Sequence, residues 1–287
     1  MNKKLFELSV KIDHKNTVSK KICLALLGKV FGPDRVSELL EDGKTFFLVY
    51  DQHKKSLEKV AGFLTQNGFL KKDVVISRLR ESDWKTKWKK DFQALQLTDK
   101  IMVVPTWQKK KFLKNKSEKI YIDSTVAFGT GLHSTTQFMA QLIEKQEGAF
   151  ESFLDIGTGT GILTLVALKN GAQQVKAIDI DKEAVKVAKA NFVQNGYNPA
   201  VVYCRNIQFF KGIKAVDFVA ANLMTQDLIK FKQQILTKVK PGKFLAVSGI
   251  SVQNLPILLK TFRPLPLKVE TILKNKEWAA VLFTRNI

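Results

Sequence analysis

The chain has few of the residues that build metal centres and disulfide frameworks. It holds two cysteines and three histidines in 287 residues, scattered along the sequence. No group of them has the spacing of a zinc or iron site, so we expect no metal. Cys23 and Cys204 lie within a helix pattern and a strand pattern. Each is therefore expected to be a buried, reduced thiol, as is usual for cytoplasmic proteins.

Long hydrophobic runs are also absent. No apolar stretch approaches the ~18 residues that a membrane span requires. Charged residues interrupt the first apolar stretch too early for a signal peptide. These features predict a cytoplasmic protein that does not enter a membrane. A length of 287 residues with 45% hydrophobic residues suits a globular chain, and length alone suggests about two domains.

Acidic residues are scarce relative to basic ones. The chain has 26 Asp and Glu against 47 Lys and Arg, a net charge of +21. Such an excess favours a nucleic-acid or ribosomal partner, and its densest blocks are 85–90 and 109–116. Lysine is nevertheless spread along the whole chain, as a lysine-rich proteome would also produce. The charge leaves open whether a basic face makes a weak RNA contact.

The most informative stretch is 153–162, FLDIGTGTGI. An apolar strand with Asp155 near its carboxyl end turns through Gly157, Gly159 and Gly161 into an apolar helix. Glycines let the backbone approach a ligand closely at the helix N-terminus. A dinucleotide loop would need its third glycine where this chain has isoleucine. The pattern D-x-G-x-G-x-G instead resembles the glycine loop of class I S-adenosylmethionine-dependent methyltransferases.

The next strand supports this interpretation. It covers 175–180 and carries Asp179 about 20 residues after the glycine loop begins. A carboxylate there can accept hydrogen bonds from both hydroxyls of a ribose. Asp181 has the chemistry of an N-cap for the helix that follows. The cofactor-binding residues predicted from these two segments are Asp155, Gly157, Thr158, Gly159, Asp179 and Ile180.

A second loop precedes the first helix of the same sheet. Residues 127–131 read AFGTG, and the helix is expected to begin near Ser134. Phe128, Thr130 and Gly131 are predicted to cover the methionine end of the cofactor. His133 could be a catalytic base. A role in ordering the loop is favoured, since methyl transfer to nitrogen does not demand a strong base.

Two asparagines follow later strands. Asn206 comes after the strand 201–205, where adenine would lie. Asn222 ends the apolar strand 216–221, and we predict it to be the catalytic residue, next to the methyl group. A lysine with a pKa near 10.4 is neutral in only about 1 in 1,000 molecules at pH 7.4, so the site must hold the neutral amine. The alternative for Asn222 is a turn residue that ends the strand.

The element order predicts the fold. Residues 1–80 alternate as β-α-β-β-α-β, the pattern of a ferredoxin-like α+β domain, which we expect to recognise the substrate. A linker helix is predicted over 81–97, with Trp84, Trp88 and Phe92 on one face. We interpret that face as packing, although base stacking among lysines is an alternative.

The remainder, 98–287, is predicted to be an α/β catalytic domain with a Rossmann-like sheet. Its first two strands, 100–105 and 118–122, are expected to form a small hairpin. A helix is expected over 228–239. The last two strands, 267–273 and 278–283, are expected to form a C-terminal antiparallel hairpin.

Several motifs together resemble one family. They are Glu81-x-Asp83-Trp84, Trp88-Lys89, Val103-Val104-Pro105-x-Trp107, the stretch AFGTG-x-H-x-TT over 127–136, the glycine loop, Ala221-Asn222 and Ser248-Gly249-Ile250. They are similar to the methyltransferases that modify large-subunit ribosomal protein eleven, and the likeness covers essentially the whole chain. The resemblance implies methylation of lysine ε-amines and of an N-terminal α-amine by S-adenosylmethionine. It also implies that Thr130, Asp179 and Asn222 contact the cofactor or the amine. We expect the enzyme to be a monomer.

The chain departs from the family pattern in three places. Ser124-Thr125 replaces Pro-Gly, Ala94 replaces a proline after the linker aromatics, and Ser134 replaces a proline before the paired threonines. Three alternatives remain at this point. They are an rRNA base N-methyltransferase, a protein-lysine methyltransferase with a non-ribosomal target, and an assembly factor that binds the cofactor without turnover. Leu223-Met224 after Asn222 disfavours the first, because base-modifying sites usually offer prolines and an aromatic there.

Overall fold

The structure is a computed structural model. It describes residues 5–31, 36–41, 43–51, 53–79, 93–122, 131, 133–207 and 212–287. The chain divides into two compact units, Met1–Asp91 and Phe92–Ile287. No helix within the described ranges is long and apolar enough to cross a membrane.

The first unit is a four-stranded antiparallel sheet covered by two helices. The strands are β1 (Leu5–Asp13), β2 (Val36–Glu41), β3 (Lys44–Asp51) and β4 (Val74–Leu79), and the helices are α1 (Thr17–Phe31) and α2 (Lys54–Gln66). The spatial order is β2-β3-β1-β4. Leu57, Val60 and Leu64 recur on one face of α2 and are buried against Leu8 and Val10 of β1. The predicted β-α-β-β-α-β order is confirmed.

The second unit begins with a small three-stranded sheet of β5 (Leu95–Gln96), β6 (Ile101–Val104) and β7 (Glu118–Tyr121). The hairpin predicted from β6 and β7 is wrong, because these strands pair in parallel. Their connection contains a 3-10 helix, Thr106–Phe112, and is long enough for a crossover. The predicted linker helix was expected to reach residue 97, but 95–96 form β5. Its aromatic face lies outside the described residues.

The large sheet has seven strands in the order β10-β9-β8-β11-β12-β14-β13. They are β8 (Ser152–Ile156), β9 (Gln174–Asp179), β10 (Val202–Cys204), β11 (Val216–Asn222), β12 (Val239–Ser251), β13 (Leu267–Lys274) and β14 (Trp278–Arg285). The first five are mutually parallel, and β14 and β13 add an antiparallel hairpin. The Rossmann-like sheet and its C-terminal hairpin are thereby confirmed.

The helices flank this sheet. They are α3 (Ser134–Glu144), α4 (Ile162–Lys169), α5 (Lys182–Gln194), α6 (Thr225–Lys230), α7 (Lys232–Leu236) and α8 (Leu255–Phe262). The helix predicted over 228–239 is two short helices instead. It ends earlier than expected because Val239 already begins β12, which includes Pro241 and Gly242.

The two thiols differ. Cys23 is buried in the core of the first unit as predicted, and burial raises the pKa of its thiol to about 12. Cys204 is exposed, so its predicted burial is wrong. It lies on β10, which is three residues long and forms one edge of the large sheet. An edge strand has no neighbouring strand on its outer side to cover its last residue.

Candidate active site

Three predicted residues lie in one row across neighbouring strands. Ile156 of β8 is in register with Ile178 of β9 and with Ala221 of β11. The residues that follow these three along the sequence are Gly157 after Ile156, Asp179 after Ile178 and Asn222 after Ala221. Adjacent strands are about 4.8 Å apart, so Asp179 and Asn222 flank the glycine loop at a separation of about 10 Å. This row lies where the strand order reverses, which is where open α/β sheets bind ligands.

The glycine loop is fastened to the end of β9. The backbone amides of Gly157 and Thr158 donate to the carbonyl of Ile178, at 2.9 and 3.0 Å. The Gly159 amide donates to Oδ2 of Asp179 at 2.9 Å, and the Asp181 amide donates to its Oδ1 at 3.0 Å. The Asp179 carboxylate is therefore held in one orientation before any ligand arrives.

Asp155 lies beneath this loop, fully buried. Its Oδ2 accepts hydrogen bonds from the hydroxyls of Thr158 at 2.7 Å and Thr164 at 2.9 Å. Burial raises the pKa of Asp155 to about 6, although these two hydrogen bonds act in the opposite direction. Its Oδ1 is buried without a partner. Asp155 and Thr158 thus shape the loop from inside, and the Thr158 side chain does not face the cavity.

An open cavity of about 320 Å³ lies beside the row, within the size range of small-molecule sites. It is lined by the carboxyl ends of β8, β9, β10 and β11 and by α6. The predicted residues that line it are Gly157, Asp179, Ile180 and Asn206. Ile180 is 69% exposed. An apolar side chain on the wall of an open cavity suits a ligand that brings its own apolar face.

Other lining residues were not predicted. They are Ile156, Ile178, Arg205, Ile207, Leu223, Asp227, Lys230 and Phe231. Arg205 and Ile207 flank the predicted Asn206, and Leu223 follows the predicted Asn222. Their positions after strand ends were a usable signal. Phe231 gave none, because its place depends on how α6 packs.

Asn222 is half-buried, and its amide nitrogen lies 3.3 Å from Oγ1 of Thr135 on α3. Thr135 is itself 2.8 Å from Nδ1 of His133. His133 is the N-cap of α3, with its ring accepting from the Thr135 amide. This supports the loop-ordering role expected for His133. The ring of Trp278 on β14 meets the imidazole edge-on, with centroids 5.0 Å apart.

The loop expected to cover the cofactor is only partly described. Phe128, Thr130 and the altered pair Ser124-Thr125 lie outside the described residues. Gly131 is buried with φ +90°, and a Cβ there would come within 3.3 Å of both Ile162 and Val103. Gly131 is thus packed against the first residue of α4 and does not line the cavity. No cluster of metal ligands occurs in the part of the chain that the structure describes.

Comparison with known proteins assigns the family. The family model described as ribosomal protein L11 methyltransferase (PrmA) matches residues 15–286. The chain is 32% identical to the ribosomal protein L11 methyltransferase of Geotalea daltonii over 260 residues, covering 84% of this chain and 82% of that protein. It is 30% identical to the Bacillus cereus (strain AH820) protein of the same name over 211 residues, covering 73% of this chain and 67% of that one.

A solved structure agrees on the fold. The ribosomal protein L11 methylase of Lactobacillus delbrueckii subsp. bulgaricus matches with a TM-score of 0.62 and 24% identity, covering 68% of this chain and all of that one. The match of the family model spans both units of the chain, including the row of Asp179, Gly157 and Asn222. The chain belongs to the ribosomal protein L11 methyltransferase family.

Proposed function

We propose that the chain transfers methyl groups from S-adenosylmethionine to lysine ε-amines and the N-terminal α-amine of ribosomal protein L11. The observation that carries this proposal is the row of Asp179, Gly157 and Asn222 at the switch point of the sheet. Asp179 lies on one side of the glycine loop, where it can bind the ribose of a nucleoside cofactor. Asn222 lies on the other side, where it can meet an incoming amine. Family membership supplies the protein substrate.

The residues around the cavity fit this cofactor. Each Asp179 oxygen accepts one backbone N–H and keeps a lone pair for a ribose hydroxyl. Ile180, Ile207 and Phe231 offer apolar surface for a purine, with Asn206 as a polar partner. Gly157 has φ +76°, where a side chain is strained, and an added Cβ would lie 2.5 Å from the Leu223 side chain, which would have to move. Phe128 and Thr130 are proposed for the methionine end, as their sequence predicts, whereas Gly131 packs against α4 and shapes the end of that loop.

Asn222 acts on the amine. When bound, the cofactor would supply a methyl group on a cationic sulfonium, and the lone pair of a neutral amine would attack that methyl group in line, with the neutral thioether as the leaving group. Because an ammonium has no lone pair, the site must stabilise the neutral amine. The Asn222 carbonyl can accept an N–H of that amine and aim its lone pair, while partial burial disfavours the ammonium. Catalysis then comes mainly from positioning.

The test separates the substrate classes. Purified protein is incubated with methyl-labelled S-adenosylmethionine and ribosomal extract from cells that lack this modification, and the products are split into protein and RNA. We expect ribonuclease-resistant label in one ribosomal protein, with methylated amines located by mass spectrometry. Label in RNA would establish the rRNA methyltransferase alternative, and label in a non-ribosomal protein would establish the other enzymatic one.

Replacing Asp179 by asparagine is expected to weaken cofactor binding about 30-fold, since a hydrogen bond to a charged group contributes about 2 kcal/mol. The neutral asparagine side chain also accepts hydrogen bonds from the backbone N–H groups of Gly159 and Asp181 less well. Isothermal titration calorimetry with S-adenosylhomocysteine measures the change. Asp181→Asn is the matched control. Asp181 caps α5 through Glu183 N, and asparagine caps equally well. Equal affinities for the two variants would refute the ribose assignment.

We also propose that residues 1–80 recognise the protein substrate, that 81–97 link the domains, and that 98–287 bind the cofactor. The described residues of the first unit bring no catalytic cluster together. Its helix α1 instead exposes Val18, Ile22 and Val30. A chain beginning at Phe92 should bind S-adenosylhomocysteine within threefold of the full chain and lose methylation of L11 more than 100-fold. Retained methylation would show that the first unit does not hold the substrate.

The same proposal covers the partner contacts. We expect a cytoplasmic monomer whose exposed lysines at 109–111 add a weak, salt-sensitive attraction to RNA. Sedimentation of the purified enzyme and the salt dependence of its methylation rate on whole ribosomes measure these properties.

A further inference from the structure

The side chains of His133, Thr135 and Asn222 form a hydrogen-bonded chain from the N-terminus of α3 to the end of β11. Thr135 is 87 residues from Asn222 in sequence, and it is 1% exposed. Its hydroxyl lies between the imidazole at 2.8 Å and the Asn222 amide at 3.3 Å. A hydroxyl has a single proton to donate, so the directions of its hydrogen bonds to His133 and to Asn222 are coupled.

The direction of each hydrogen bond follows from one backbone amide. The Thr135 N–H points at Nδ1 of His133, at 3.4 Å. A backbone N–H only donates, so this contact favours an Nδ1 that accepts and carries no proton. The imidazole is then neutral with its proton on Nε2. Burial lowers the pKa of His133, which favours this neutral form, while Glu277 opposes the shift.

The remaining bonds are then determined. The Thr135 hydroxyl gives its proton to Nδ1, so its oxygen can only accept from the amide it faces. The group of the Asn222 side chain that faces Thr135 must therefore be the NH₂ group. The carbonyl oxygen of Asn222 is therefore turned away from Thr135.

We propose that His133 and Thr135 are positioning residues that orient the Asn222 carbonyl toward the substrate amine, and that protonation of His133 reverses this orientation. Protonated His133 has a hydrogen on Nδ1 and donates to Thr135. The Thr135 hydroxyl then turns its proton to Asn222, and the amide rotates to present its oxygen to Thr135. The NH₂ group left in the site cannot accept a hydrogen bond from the amine. This inference rests on the proposed role of Asn222.

The C-terminal hairpin holds the imidazole in place. Trp278 meets the ring edge-on, and Nδ2 of Asn275 donates to Oγ of Ser134 at 2.9 Å. Glu277, at the same turn, is a charged group within the described part of the chain that acts on His133, whereas Thr135 and Trp278 carry no charge. The hairpin therefore packs against the ring and supplies a negative charge that opposes the lowering of the pKa of His133 by burial.

The first test reads the imidazole directly and needs no activity. The chain has three histidines, so ¹⁵N spectra of the variants His14→Gln and His53→Gln assign His133. We expect an unprotonated Nδ1 and a protonated Nε2 at pH 7.5. A proton on Nδ1 at that pH would overturn the inference, whether or not the enzyme methylates L11. Absent methylation with the expected tautomer would instead contradict the proposed function.

The second test uses conservative variants in single-turnover methylation. Thr135→Val should lower the rate about tenfold with unchanged affinity for S-adenosylhomocysteine, and Thr135→Ser, which keeps the hydroxyl, should restore it. In an Asn222→Ala background, Thr135→Val should have no further effect, because Thr135 acts through Asn222. An additional tenfold loss there would overturn the inference, as would a serine variant as slow as the valine variant.

The third test is the pH profile. His133→Asn keeps an N-cap acceptor and an acceptor for the Thr135 hydroxyl, but it does not titrate. The ratio of wild-type to His133→Asn rates cancels ionisation of the amine and of Asp155. It should be constant above pH 7.5 and fall as pH drops through the pKa of His133 measured by NMR. A ratio that stays flat through that pKa would refute the switch.

Discussion

Gly249→Ala is expected to lower the methylation rate at least 100-fold. Gly249 has φ +82°, where an L-residue is strained. An added Cβ would lie 2.1 Å from the carbonyl oxygen of Leu223 and 2.7 Å from its carbonyl carbon. Both are backbone atoms that cannot rotate away. Leu223 must shift, and Asn222 shifts with it.

The size of the effect follows from geometry. A misplacement of about 1 Å in a reacting group can lower a rate about 100-fold. Gly249 lies at an irregularity in the pairing of β12 with β14, between Ser248 and Ile250. Such bulges often occur next to active sites, where they redirect the backbone. Here the bulge lets Leu223 pack closely after the strand that ends in Asn222.

Gly242→Ala provides the matched control. Gly242 lies on the same strand with φ +72°, and its added Cβ would meet nothing nearer than Ile287 at 3.7 Å. It should carry a similar backbone strain of about 1–2 kcal/mol without displacing Leu223. We expect both variants to melt at lower temperature, and only Gly249→Ala to lose single-turnover activity. Similar activities would show that the Leu223 contact does not position Asn222.

Asn222→Ala is expected to slow methyl transfer about 100-fold while cofactor affinity changes less than threefold. The variant loses the carbonyl that accepts an N–H from the amine. The amine nitrogen becomes positively charged as the methyl group is transferred, and a hydrogen bond to a charged group contributes roughly 1.5–3 kcal/mol. It also leaves the buried Thr135 hydroxyl without its amide neighbour. Single-turnover rates with L11 measure the chemical step, and calorimetry with S-adenosylhomocysteine measures binding.

The pH dependence of this variant gives a second check. The wild-type rate should rise with pH as more of the amine becomes neutral, up to a pKa near 10.4. Without Asn222 the site selects the neutral amine less well, so the rate deficit should be largest near pH 7 and shrink toward pH 10. An unchanged rate for Asn222→Ala at pH 7 would show that Asn222 takes no part in the reaction.

The positions of several residues of the candidate site were predictable because their signals are local. Asp155, Gly157 and Gly159 stand in one short loop, and Asp179 and Asn222 end apolar strands. In a parallel sheet the carboxyl ends of all strands meet at one edge. Strand ends read from the sequence therefore converge without knowledge of the packing. The ferredoxin-like order of the first unit was likewise readable from alternation and helical spacing.

The errors arose where a local pattern has two tertiary outcomes. β6 and β7 carry the same alternation whether they pair in parallel or as a hairpin, and the crossover between them decides. Cys204 lies in a strand pattern, but its exposure depends on β10 being an edge. The hydroxyl of Thr158 donates to Asp155 inside the loop, a contact that the loop pattern alone did not predict.

The sequence by itself determined the fold class, the glycine loop and the residues that end the strands, because hydrophobic period and glycine spacing act over a few residues. Tertiary structure alone decided the contact between Gly249 and Leu223, the cavity wall at Phe231, and the chain from His133 through Thr135 to Asn222. These depend on which strands become neighbours and how the helices pack on them. Such pairings join residues up to 87 positions apart, a distance at which no periodicity carries information.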